Sequence, residues 1–75
     1  MAGKINIHLV PTDGEHWVLR EEISGRDLGH YTNFREAEAI ARKLARSRKV
    51  RLIVHLAGRF EVVDYRPWYL RWFEG

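Results

Sequence analysis

With 75 residues, 45% of them hydrophobic and 31% charged, the chain has the composition of one ordinary globular domain with room for a single core. It has no cysteine, which removes disulfides and thiolate metal sites as supports and fits a reducing, cytoplasmic setting. A net charge of +3 favours encounters with anionic partners without naming one, and the opening Met1-Ala2-Gly3-Lys4-Ile5-Asn6 lacks the apolar run of a secretory signal.

Residues 4–10 alternate, with Ile5, Ile7 and Leu9 facing one way and Asn6 and His8 the other, the period of a half-buried strand. Pro11-Thr12-Asp13-Gly14 ends it with a fixed φ and a residue tolerant of positive φ, so the chain is expected to reverse into a second strand over 16–23. Trp17 and Leu19 share one face of that strand and Val18 and Arg20 the other. After the turn Ser24-Gly25-Arg26-Asp27 comes a short third strand over 28–32, weakened by Gly29.

Asn33 is placed to cap a helix over 34–47, with Glu36 three residues on in a capping-box arrangement. Phe34, Ala37, Ile40, Ala41 and Leu44 recur at helical spacing and form its apolar stripe, while Arg35, Glu38, Arg42 and Arg46 face outward. Two more alternating runs follow, over 50–56 and 60–65, joined by Ala57-Gly58-Arg59 as a second hairpin. The order β-β-β-α-β-β implies an α+β fold: an antiparallel sheet with one central helix packed on one face. The domain is expected to occupy residues 1–66 and an aromatic extension residues 67–75. The strand order does not follow from the pattern.

These residues resemble a family of small bacterial domains of unknown function. The resemblance is carried by His8-Leu9-Val10-Pro11, by Trp17-Val18-Leu19 after an Asp-Gly turn, and by Glu36-Ala37 opening the helix. It continues in Ala41-Arg42-Lys43-Leu44-Ala45 and in Ile53-Val54-His55 followed by Gly58-Arg59-Phe60, and spans roughly residues 8 to 64. It implies the same small β-β-β-α-β-β unit and brings no activity or cofactor with it. The chain departs from the family pattern in lacking a glycine after the helix and in its aromatic tail.

Four histidines invite a metal reading, since neutral imidazole is a common ligand. His8, His16, His30 and His55 lie on separate strands with no helical i,i+4 pair and no cysteine, so no metal and no cofactor is expected. Ser24 falls in a turn and Ser47 at a helix end, and Glu21 and Glu22, adjacent on a strand, point to opposite faces. No catalytic residue is assigned, and the chain is read as a non-enzyme.

Two surfaces remain. Tyr65, Trp68, Tyr69, Trp72 and Phe73 place five of the nine aromatics in the last eleven residues, a concentration that calls for burial. The tail is expected either to complete its own core or to form a protein interface, with a second copy or an unidentified protein, where Trp, Tyr and Arg are favoured anchors. A membrane contact is the lesser option. Arg42, Lys43, Arg46, Arg48, Lys49 and Arg51 gather near the helix end, where cations answer the helix dipole, and the same cluster could follow a phosphate backbone. The leading expectation is therefore a protein-interaction module, with nucleic-acid binding through the basic helix end as the alternative.

Overall fold

The computed structural model describes residues 5–69. The alternating runs form strands β1 (Ile7–Pro11), β2 (Trp17–Glu21), β3 (Asp27–Tyr31), β4 (Arg51–Leu56) and β5 (Arg59–Asp64), and helix α1 (Phe34–Arg48) stands between β3 and β4. All five strands join one sheet in the order β3-β2-β1-β4-β5. Three of the four pairings are antiparallel, and β1 with β4 is parallel.

The parallel pair amends the expectation of a purely antiparallel sheet. Two reversals bring β3 back into the direction of β1, and α1 then carries the chain back across the sheet. β4 therefore starts again alongside β1 and runs the same way, setting Ile7 opposite Leu52 and Leu9 opposite Val54.

One face of the sheet meets the helix. Ile7, Leu9, Leu19, Leu52 and Val54 point to it, and Ala37, Ala41 and Ala45, four residues apart on α1, lie on them with no exposed surface. Three alanines in a row let the helix axis approach the sheet closely. Phe34 and Leu44 flank this seam, as the spacing implied, and Trp17 stacks on Phe34 at a ring separation of 4.7 Å. Ile40 differs from the expectation: it is 38% exposed, rotated off the seam towards a shallow groove beside Leu28 and Tyr31, and Ala45 takes a place in the core instead.

Both helix ends are closed locally. Asn33 Oδ1 accepts the Glu36 N–H at 3.2 Å, which satisfies a first-turn donor. At the other end Lys49, in the left-handed conformation (φ 57°, ψ 51°), donates to Arg46 O, and Val50 N–H reaches back to Ala45 O at 3.1 Å. A lysine thus occupies the position where helices usually place glycine. Among the described residues no helix is long and apolar enough to cross a membrane.

Candidate functional site

The face of the sheet turned away from α1 carries the side chains of opposite parity: His8, Val10, Val18, Arg20, His30, Ile53, His55, Phe60 and Val62. Val18 is as buried as the core, set between Val10 and His30 of the neighbouring strands. At the centre lies a polar chain that crosses the sheet. Asn6 Nδ2 donates to Glu22 Oε2 at 3.2 Å, Glu22 Oε1 lies 2.9 Å from His8 Nε2, and His8 Nδ1 lies 2.7 Å from His55 Nε2. The His55 ring then meets Phe60 edge-on, with centroids 4.8 Å apart. Asn6 also accepts the Arg51 N–H through Oδ1 at 3.0 Å, which ties the start of β4 to the residue before β1.

Local backbone explains how Glu22 reaches this chain. Ser24 N–H bonds to Glu22 O at 2.8 Å across Ile23, whose φ is 74°, which is the signature of a tight three-residue turn. Glu21 and Glu22 do point to opposite faces. Glu21 turns to the helix side, where Arg48 donates to it at 3.2 Å, and Glu22 turns to His8.

The hydrogen bonds limit how many protons the pair can hold. When both rings are neutral, His8 Nε2–H donates to Glu22 and His8 Nδ1 accepts from His55 Nε2–H. With one added proton, His8 donates from both nitrogens and His55 Nε2 accepts. A second proton would set two N–H groups face to face at 2.7 Å, so it must break the contact. Burial, reinforced by the neighbouring His8, holds His55 below the usual imidazole pKa.

This separation is that of a hydrogen bond, not of shared ligation: two nitrogens about 2.0–2.1 Å from one tetrahedral ion stand farther apart. Among the described residues no group of three His, Cys, Asp or Glu side chains is disposed to hold a metal ion. Ser24 Oγ is engaged with Glu21 Oε1 and with the Arg26 N–H, as a turn residue would be.

The six basic residues are divided. Arg42 pairs with Glu38, Arg48 pairs with Glu21, and Arg51, on the opposite face of the sheet, approaches Asp64 at 3.8 Å. Lys43, Arg46 and Lys49 stand exposed on the helix or at its end.

The aromatic residues are divided as well. Tyr65 continues the β5 pairing, with its N–H bonded to Val50 O at 3.2 Å, and packs against the core. Asp64 and Arg66 lock the exit from β5: the carboxylate accepts Arg66 Nε at 2.9 Å and Nη2 at 2.7 Å, which holds its pKa down to about 2. After Pro67, Trp68 and Tyr69 take helical backbone and meet edge-to-face at 6.0 Å, with Trp68 72% and Tyr69 49% exposed. Trp72 and Phe73 lie outside the described residues.

Sequence reading missed the Glu22, His8 and His55 array. The available signal was parity, since His8 and His55 both sit off the core face of their strands, but only the parallel β1–β4 register makes them neighbours. Two motifs that carry the family resemblance, His8-Leu9-Val10-Pro11 and Ile53-Val54-His55, therefore meet in space through their histidines.

Residues 7–62 match the model of the family described as an uncharacterized protein conserved in bacteria (DUF2188), and the chain belongs to that family. Comparison with curated proteins and with solved structures gave no match.

Proposed function

We propose that this domain is a non-enzymatic protein-interaction module whose contact surface is the uncovered face of the sheet at β5 together with the aromatic residues that follow it. One observation carries the reading. Among the described residues, Phe60, Val62, Trp68 and Tyr69 are large apolar side chains exposed by 68, 58, 72 and 49%, and all four fall within ten consecutive residues. Apolar area concentrated in this way marks a site of association more often than a free surface. Aromatic side chains also supply much of the binding energy where proteins meet.

The test is affinity capture from the source cell with the intact protein and with a Phe60→Ser/Val62→Ser variant. The reading expects the specifically retained proteins to be lost from the variant while its circular dichroism is unchanged. An unaltered capture profile removes this face from consideration.

Nucleic-acid contact through Arg42, Lys43, Arg46, Arg48, Lys49 and Arg51 is the second reading. It is supported by the exposed cations Lys43, Arg46 and Lys49, and weakened by the carboxylates beside Arg42, Arg48 and Arg51. It expects binding to DNA or RNA that falls steeply with salt and drops on neutralising Arg42, Arg46 and Lys49. No retention at low salt would end it.

A further inference from the structure

Among the described residues strand β5 is paired on one side only, by β4, and the two ends of the sheet are not equivalent. At the β3 end the pairing with β2 shifts register between Leu19 and Arg20, and Gly29 leaves the strand without a side chain at its centre, two features that weaken an edge. At the β5 end six residues pair with β4 in unbroken register from Arg59 to Asp64 with no glycine, proline or bulge, and the first four are exposed. A long, regular edge that no described strand pairs with is a template for another strand.

Which backbone groups face outward follows from the pairing. Tyr65 N–H bonds inward to Val50 O, so residues of odd number on β5 direct their backbone groups to β4. Phe60 and Val62 direct theirs outward. Their side chains share the uncovered face of the sheet, and Arg59 and Glu61 project from the other.

From this geometry we infer that the domain forms a homodimer in which β5 pairs antiparallel with β5 of a second copy, centred on Phe60. The inference rests on the reading of the domain as an interaction module and names the partner. A two-fold axis normal to the sheet at Phe60 sets Phe60 against its own copy as a hydrogen-bonded pair. It also sets Arg59 against Glu61 of the partner, twice, in the closer non-hydrogen-bonded positions. In the monomer Arg59 Nη2 already lies 3.5 Å from Glu61 Oε2, so the dimer gathers four alternating charges on one face.

The neighbouring registers are unfavourable. Sliding two residues one way opposes Glu61 to its own copy, and sliding two the other way opposes Arg59 to its own copy. Of these three alignments, the one centred on Phe60 is favoured by charge pattern. It joins two five-stranded sheets into one of ten and brings the two Phe60 rings together.

The experiment uses the full chain, which has no cysteine. Light scattering should give twice the chain mass at high micromolar concentration. Phe60→Cys should cross-link to itself on mild oxidation, since a hydrogen-bonded pair sets the Cα atoms about 5.5 Å apart, inside the disulfide range. Glu61→Cys should not, its copy being displaced by two residues. Arg59→Glu and Glu61→Arg should each raise the dimer dissociation constant at least tenfold, and the double exchange should restore it.

A monomeric mass at all concentrations overturns the inference. So does a dimer that Glu61→Cys or Val62→Cys cross-links and Phe60→Cys does not, or one indifferent to both charge reversals. Should the chain prove monomeric while capture of other proteins still depends on Phe60 and Val62, the interaction reading stands and only the homodimer falls.

Discussion

Ile23 holds a backbone conformation that its side chain disfavours. Its φ is 74°, it is β-branched, and it is 91% exposed, so no burial offsets the strain. What the turn achieves is direction, since it brings Glu22 round to His8. Replacing Ile23 with glycine removes the clash between Cβ and backbone, worth about 1–2 kcal/mol, and adds about 0.5–1 kcal/mol of unfolded-chain entropy. The expected net gain is roughly 1 kcal/mol, or a rise in Tm of about 4–8 °C for a domain of this size. Ile23→Val, still β-branched, should give none. A fall in Tm for Ile23→Gly would mean that the side chain is engaged. Lys49 is the milder case of the same effect, a single left-handed residue closing the helix, and Lys49→Gly should gain a few tenths to about 1 kcal/mol in urea unfolding.

At the scale of the element, β3 shows how a weak strand is kept. Gly29 pairs with Leu19 in ordinary extended backbone, and the Tyr31 ring lies over the space a side chain would fill. A Cβ built at Gly29 would strike the Tyr31 hydroxyl and approach its ring carbons at 2.9 and 3.0 Å. Gly29→Ala should therefore destabilise by about 1 kcal/mol despite the entropy alanine saves, with the loss reduced when Tyr31 is also alanine. Additive losses in that double-mutant cycle would contradict the contact. Elements of this kind were legible from period alone: every strand was placed to within three residues at either end among the described residues, and the helix to within one. Period says nothing of strand order, because whether β4 lies beside β1 or β3 depends on where the helix returns the chain. The Glu22, His8 and His55 array was hidden for the same reason, its members being separated by 14 and 47 positions and joined only by that nonlocal pairing. Ile40 was misplaced because an apolar stripe fixes a face of the helix, while the alanine seam decides which part of that face touches the sheet.

For the molecule as a whole, Glu21, Asp27, Asp64 and His55 act in one direction as pH falls. Hydrogen bonds from Arg48 to Glu21, from Arg20 to Asp27 and from Arg66 to Asp64 hold all three carboxylates below their ordinary pKa values. A group depressed in this way stabilises the fold fully above its unfolded value, and that contribution is lost as pH falls through its folded value. His55 is also depressed, chiefly by burial. Below about 6.5 the unfolded chain takes up that proton more readily than the folded one, so stability again declines as pH falls. Two stages of acid loss follow. The first begins near pH 6.5 and reflects His55, whose burial disfavours the charged ring. The second begins near pH 4 and ends at about pH 2, where Asp64 itself is protonated. Urea midpoints measured from pH 7.5 to 2 should show both stages. His55→Gln should flatten the first and leave the second. Asp64→Asn should lower stability at neutral pH, where its pairing with Arg66 is fully formed, and make the decline below pH 4 shallower. A wild-type curve level between pH 7 and 5 would mean that the fold does not disfavour charge on His55, contrary to its burial beside His8.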